Sequence, residues 1–569
     1  MRLTLIHPAV GRRDSTSYIR TWQMEPLAPA LLASLTPSDV SIRFYDDRLE
    51  PIPYDEPTDL VAMSVETYTA KRAYQIASHY RRRGIPVVMG GFHATLAPEE
   101  VLSYAEAIVL GEAEECWPQL LDDFRSGRLQ ATYRSPKRPS LQGMAPDRSI
   151  FQGKRYLPVG LLEAGRGCHF RCDFCAIQSF FQNTQVRRPV DDILAEIRRM
   201  KKPLYFFVDD NITSNMRQAK EFFRALIPLK IRWVSQASIN AAHDEEFLHL
   251  IKASGCQALL IGFESLDEKN LVAMNKGFNT MKGGYEVALA NLRRHGIRLY
   301  TTFVVGYDED TPKAMQRTLE FALRHQFYLV AFNHLTPFPG TPLYKRLEDE
   351  KRLLYERWWL DPQYRYGMVP FRSDRMTPEA IEETCVQMRR SFYSLSSMLR
   401  RSLDFQVNAN NFFMWSQFFY INWLMRREVL QRRGFPLGDS SDHTRLIPSA
   451  HVAARRIDHP SFAVALASKG DDAWLTPIRD GQPEAGRLAE ARDLAEMRIG
   501  LLLADDHLPA SMREECGRLG IMIKGPRFDP ADLLQLAVNA EKVDVHRAVP
   551  LYPRQAEAVR KWRALHGDR

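Results

Sequence analysis

Short apolar runs separated by amphipathic stretches organise most of this chain. Over residues 1–130 the runs Leu3–Ile6, Ser41–Tyr45, Leu60–Ser64, Val87–Met89 and Ala107–Leu110 read as strands, with Ala70–Arg83 and Pro118–Ser126 as helices between them. Apolar strands alternating with helices predict a Rossmann-like, doubly wound parallel sheet. Residues 131–157 are rich in Pro, Arg, Lys and Ser, lack a period, and predict a linker. The alternation resumes over 158–345, with strands Pro158–Glu163, Tyr205–Val208, Arg232–Ala237, Ala258–Gly262, Leu299–Val305 and Tyr328–Leu335. Helical stretches such as Val190–Met200, Met216–Leu226, Glu245–Ser254 and Gly284–His295 lie between them. That order predicts a partial (β/α)6 barrel with reactive groups at the carboxyl ends of its strands. Residues 346–433 form a mainly helical extension, with Thr377-Pro378-Glu379 as an N-cap, a first-turn proline and an acid. Residues 434–450 read as a second linker. Residues 451–569 read as a small α/β domain without a recognisable role, with strands at Ala463–Ala467 and Arg498–Ala504. The fold class is α/β.

Composition narrows the setting more than the chemistry. The chain has 569 residues, 26% charged and 45% hydrophobic, with net charge +8. Those values fit a soluble multidomain protein, and the mild basic excess makes a nucleic-acid partner unexpected. Groups such as Arg81-Arg82-Arg83 and Arg426-Arg427 read as solvated helix faces. No apolar run reaches the ~20 residues of a bilayer span, and the first ten residues read as a strand rather than a signal peptide. Of the seven cysteines, three lie within eight residues. That argues for a metal site in a reducing, cytoplasmic setting and against a disulfide scaffold.

Those three are Cys168, Cys172 and Cys175, spaced C-x3-C-x2-C in a loop that follows a strand. Thiolates are soft ligands for iron–sulfur clusters and for zinc. Three from one short loop can hold a cubane and leave its fourth iron open to a chelating small molecule. A structural zinc site would want a fourth ligand and paired C-x2-C knuckles, and His169 is badly placed to serve.

The pattern C-x3-C-x-aromatic-C, with Phe174 as the aromatic, resembles the signature of the radical S-adenosylmethionine (SAM) superfamily. Later segments resemble it too. They are Tyr205-Phe-Phe-Val-Asp209-Asp210-Asn211, Gln236-Ala-Ser238-Ile-Asn240, Gly262-Phe-Glu264-Ser265, Gly306-Tyr-Asp308 and Thr336-Pro-Phe-Pro339-Gly340-Thr-Pro342. The resemblance implies a [4Fe-4S] cluster on the three cysteines. It also implies SAM held by Phe174, Asp209, Asp210, Asn211, Gln236, Ser238, Asn240, Gly262, Glu264 and Ser265.

The first 130 residues resemble the cobalamin-binding domain that precedes many radical SAM cores. Polar and glycine loops follow successive strands: Asp46-Asp47-Arg48, Ser64-Val65-Glu66-Thr67, Gly90-Gly91-Phe-His93 and Gly111-Glu112-Ala-Glu114-Glu115. The resemblance implies cobalamin at Ser64, Val65, Glu66, Thr67, Gly90, Gly91, His93, Gly111 and Glu112. The signature D-x-H-x-x-G is absent here, since Leu5 stands where its Asp would precede His7. No histidine is therefore placed as a lower cobalt ligand, and an empty Rossmann-like domain is the alternative. Asp505-Asp-His507-Leu-Pro-Ala510 nearly matches the signature but reads as a chance loop.

The resemblance implies a cobalamin-dependent radical SAM enzyme that methylates an unactivated carbon of a small molecule. One SAM would methylate cobalamin and a second would yield a 5′-deoxyadenosyl radical. A radical cyclase, ring-rearranging or oxidising enzyme is the nearer alternative, and a non-catalytic iron–sulfur redox sensor the more distant one. The expected partners are a small-molecule substrate of aromatic or hydrophobic kind and an electron donor such as flavodoxin or ferredoxin. The segment Phe412–Met425 carries apolar residues nearly all round. It reads as a buried helix, with a pocket wall or a membrane-surface helix as alternatives.

Overall fold

The computed structural model describes residues 1–442 apart from 14, 15, 18, 20, 21 and 432, then 446 and segments of 461–524. The first sheet contains β1 (Arg2–His7), β2 (Ser41–Asp46), β3 (Leu60–Ser64), β4 (Val87–Gly90), β5 (Ala107–Leu110) and β6 (Thr132–Arg134). Its order is β2-β1-β3-β4-β5-β6, and every pairing is parallel. Alternate residues enter two different cores. Leu3, Leu5, Ala62 and Val88 face one, while Ile6, Val61, Met63 and Val87 face the other. Helices therefore cover both faces, as continuous apolar strands require.

The strand β6 lies inside the stretch expected to be a linker. Only Tyr133 of its three residues is buried, too little pattern to read from sequence. The rest of that stretch is also engaged. The Arg148 guanidinium donates to Glu25 at 3.0 Å, to Glu196 at 2.9 Å and to the Leu161 carbonyl at 2.6 Å.

The second sheet contains β7 (Val159–Leu162), β8 (Leu204–Phe207), β9 (Trp233–Ala237), β10 (Cys256–Glu264), β11 (Arg298–Val305) and β12 (Leu329–His334). The strands are parallel, hydrogen-bonded in chain order, and open between β7 and β12. This is the expected partial (β/α)6 barrel. Its helices form for local reasons. In Met216–Leu226, for example, the Asn215 side chain accepts from the Gln218 amide at 3.2 Å, and Ala219, Phe222, Phe223 and Leu226 make a buried stripe.

Beyond the barrel, the helices Pro378–Phe392, Leu395–Ser402 and Phe412–Gln431 occupy the expected helical region. Residues 350–376, expected to share that character, form an irregular strap instead. Its Trp358, Trp359 and Tyr364 are buried in the core of the first domain. The Trp359 indole donates to Glu100 at 2.8 Å, and that of Trp358 to the Pro337 carbonyl at 2.9 Å. Large rings with distant partners satisfied their burial outside a helix. Part of the second expected linker is ordered too, since Gly438–Asp439 pairs with Gly11–Arg13.

In the tail, the described residues form a small α/β unit with its own core. Ser461–Ala467 pairs antiparallel with Asp472–Arg479 and parallel with Leu501–Leu503. Positions 505–507 of the near-match Asp505-Asp-His507 lie outside the described residues.

Asp47 gives the first domain a charge-dependent joint. Its buried carboxylate accepts from Arg72 at 2.9 Å, Arg12 at 2.7 Å and the Ala9 amide at 3.1 Å. Burial alone would raise this carboxyl, but the two guanidiniums outweigh it and hold it below the usual 3.8. The lowered group contributes stability above its unfolded value, and that contribution is lost as pH falls through the folded one. Thermal melts of the wild type are thus expected to fall below about pH 4. Asp47→Asn should cost about 3–5 kcal/mol near neutrality by removing the carboxylate charge that two buried guanidiniums share, and should flatten the acid dependence.

Candidate functional site

The cysteine loop leaves β7 and is built on its own backbone. Gly165–Gly167 pairs antiparallel with Gln185–Arg187. Gly167 has φ +91°, and a Cβ there would lie 2.0 Å from the Thr184 carbonyl oxygen, so only glycine fits. Asp209 and Asp210, expected at SAM, hold this loop. Asp209 is 1% exposed and accepts from the Ala164 amide at 2.8 Å and from Arg187 at 3.2 Å. Asp210 accepts from the Gly167 amide at 2.7 Å. Burial raises both carboxyls, Asp209 to about 7 and Asp210 to about 6. Peptide N–H groups at the turn supply the partners that the motif pattern could not show.

Cys168 and Cys175 are half-buried and Cys172 is buried. Burial pushes the Cys172 thiol up to about 12 and raises that of Cys175. Such thiols stay protonated unless a cation binds them, as a soft metal or cluster would. The Asn211 amide lies 3.5 Å from the Cys168 sulfur and 3.2 Å from the Ser238 hydroxyl. Thr213 closes the group, donating to Asn211 at 2.8 Å and lying 3.2 Å from Ser238. His169 is tied elsewhere, with Nδ1 3.2 Å from the Asn183 carbonyl.

Other expected residues divide. Gln236 is half-buried near the end of β9, Asn240 is exposed in the turn that follows, and Phe174 packs against the barrel core. Glu264 sits at φ +64° in a bulge, where the β10–β11 register shifts. It pairs with Lys276 at 2.7 Å, and Lys276 also donates to the Gly262 carbonyl at 3.2 Å. Burial works to lower the Lys276 ammonium, but the Glu264 carboxylate helps to raise it. Ser265, expected at SAM, follows this bulge. Its buried hydroxyl accepts from the Asp267 amide at 3.0 Å and fixes the next turn. Lys276 itself was missed, because it lies in a loop with no motif spacing.

The carboxyl edge of the first sheet meets the cysteine loop. Arg166, between Gly165 and Gly167, pairs with Glu163 at 2.8 Å, with Glu112 at 3.4 Å and with Glu114. Arg138 grips Glu112 with two hydrogen bonds of 2.6 and 3.0 Å and donates to the Thr184 carbonyl at 3.1 Å. Phe92 packs on Phe180 at 4.4 Å, and Gly340 approaches Leu96. Glu112, expected at cobalamin, takes part in joining the two domains.

His93, expected at cobalamin, lies inside this edge. It is fully buried, with Nδ1 3.3 Å from Thr67 and Nε2 3.2 Å from Glu100. Thr67 is buried with it and faces inward. The remaining residues fit a cradle. Val65 is buried, and the backbone of Gly91 presses on it and on Ser64 beside Gly90. Gly111 has φ +77° with open space where a Cβ would stand. Glu66 is open to solvent yet ringed by protein, and that crowding pushes its carboxyl up. His7, at the end of β1, was passed over; its buried Nδ1 has no hydrogen-bond partner, and burial lowers its imidazole to about 4.

An open parallel barrel with a three-cysteine loop at its carboxyl edge defines the class of a radical SAM domain. Residues 162–322 match the family described as the Radical SAM superfamily. It is 29% identical over 415 residues to the bacteriochlorophyllide d C-12(1)-methyltransferase of Chlorobaculum tepidum, covering 71% of this chain and 88% of that one. It is 28% identical over 361 residues to the anaerobic magnesium-protoporphyrin IX monomethyl ester cyclase of Cereibacter sphaeroides, covering 57% of each. The solved structure of the cobalamin-dependent SAM radical enzyme OxsB superposes with TM-score 0.54 at 15% identity, over 75% of this chain and 71% of that one, and shares the fold. Among the described residues no helix is long and apolar enough to cross a membrane.

Proposed function

We propose that this enzyme is a cobalamin-dependent C-methyltransferase acting on an unactivated carbon of an aromatic or hydrophobic small molecule, a chlorin-type tetrapyrrole foremost. The reading rests on one juxtaposition: the carboxyl edge of the first parallel sheet meets the cysteine loop at that of the second, joined through Arg166 and Arg138. Ligands of such sheets bind at those edges. The methyltransferase among the relatives supplies the reaction and substrate class.

In this assignment Cys168, Cys172 and Cys175 hold a [4Fe-4S] cluster. Asn211, Gln236, Ser238, Asn240 and the Gly262–Glu264 turn hold SAM, with Lys276 keeping Glu264 in place. Ser64, Val65, Glu66, Gly90, Gly91 and Gly111 cradle cobalamin, with no imidazole from the interior His93. When bound, the reduced cluster and SAM supply a hydrogen-abstracting carbon radical, and cobalamin supplies the methyl group. The residues orient these groups, and the strap carrying Trp358 and Trp359 covers the side of the first domain. A flavodoxin or ferredoxin is the assigned electron donor, and the reducing cytoplasm the assigned compartment.

The test is anaerobic reconstitution with iron, sulfide and cobalamin, followed by incubation with a bacteriochlorophyllide and SAM labelled in its methyl group. Labelled methyl in the pigment, with S-adenosylhomocysteine and 5′-deoxyadenosine formed together, is the expected outcome. The cyclase relative favours a second reading: 5′-deoxyadenosine would form and the product would carry no label. Asn211→Ala should slow 5′-deoxyadenosine formation by about 10–100-fold, the range for groups that orient metal ligands.

A further inference from the structure

The helix Phe412–Gln431, read from sequence as buried, is buried on one side only. Met414, Phe418 and Asn422 face the core. Phe412, Tyr420 and Trp423 lie outward, and at 3.6 residues per turn they fall with Arg426 and Arg427 within an arc of about 120°. The neighbouring helix Leu395–Ser402 and the turn after it add Leu395, Leu399, Leu403 and Phe405. These seven apolar side chains are between 48% and 80% exposed. The two helices touch: the Trp415 indole donates to the Ser402 carbonyl at 3.2 Å, and Arg401 donates to Asn422 at 3.0 Å.

Along these helices the fully exposed charges are of one sign, Glu428 being half-buried and outside the arc. Arg390, Arg400, Arg426 and Arg427 are exposed. From Arg389 to Arg427 the sole carboxylate is Asp404, which is buried and paired with Arg293 at 2.8 Å. We propose that this face docks on a lipid bilayer with anionic headgroups, its leucines and aromatic rings entering the interface and its arginines meeting the phosphates. Apolar side chains beside interfacial Trp and Tyr, ringed by Arg and free of exposed acid, suit that surface better than a protein core, which would bring compensating carboxylates. The inference does not depend on methyl transfer.

The test floats the full-length, cluster-reconstituted protein with unilamellar vesicles of phosphatidylglycerol and phosphatidylcholine, and with phosphatidylcholine alone. The wild type is expected to float with the anionic vesicles and far less with the neutral ones. The double variant L399E/F405E should lose at least about tenfold in partitioning. R400E/R427E should lose the anionic preference. Both should keep the wild-type rate of SAM cleavage, which confirms their fold. Wild type that stays at the bottom with anionic vesicles would overturn the proposal. So would L399E/F405E floating as well as wild type. A wild-type dimer in light scattering that L399E/F405E converts to monomer, without vesicle binding, would assign the face to a second copy.

Discussion

Cys172→Ala, prepared anaerobically and reconstituted with iron and sulfide, is expected to lose cluster absorption and 5′-deoxyadenosine formation together, to background. The reason lies in the donor set. Three sulfurs from one eight-residue loop are the fewest that pin a cubane and leave one iron open, and two cannot fix its orientation. The loop itself should survive, because Gly165, Gly167, Asp209 and Asp210 hold its backbone without the thiol. A melting temperature near that of the unreconstituted wild type, with no cluster, would separate ligand loss from unfolding. Cys256 and Cys385 are buried far along the chain, in β10 and in the helix Pro378–Phe392. Alanine at either should leave cluster content intact. A Cys172→Ala protein that still cleaves SAM would refute the ligand assignment.

Arg138→Ala is expected to uncouple the two halves of the reaction. Arg138 donates to both oxygens of Glu112 and to the carbonyls of Thr184 and Arg166, and it lies 4.4 Å above the Phe181 ring. One side chain therefore ties the first domain to the cysteine loop and to the short helix beyond it. Its loss leaves the Glu112 carboxylate with the 3.4 Å contact to Arg166 alone, at a cost of about 2–5 kcal/mol for truncating a hydrogen-bonded charge pair. The three cysteines do not touch Glu112, so SAM cleavage should persist. Methylated product should fall further than 5′-deoxyadenosine, because radical and methyl donor are no longer held in register. The ratio of the two products checks this, and an unchanged ratio would remove Arg138 from the coupling. Arg138→Lys keeps the charge but not the planar fork, and should restore stability more than coupling.

The amino-acid sequence by itself determined most of the strands and helices and pointed to the metal-binding chemistry. Strand and helix periods are local, so all five expected strands of the first sheet and all six of the barrel could be read from runs of a few residues. The cysteine spacing is equally local: Cys168, Cys172 and Cys175 share one loop. Only the tertiary structure decided what the acids and the rings do. Asp209, at a motif position, finds a partner in the amide of Ala164, 45 residues earlier. His93 looked like an edge residue, but Glu100 and Thr67 draw it inside. Glu112 meets Arg138, 26 residues later, and Trp359 meets Glu100 across 259. A carboxylate or ring carries no mark of which distant group will satisfy it. Its role follows from which donors folding brings within about 3 Å, because a buried polar group left unpaired costs more than most alternative placements.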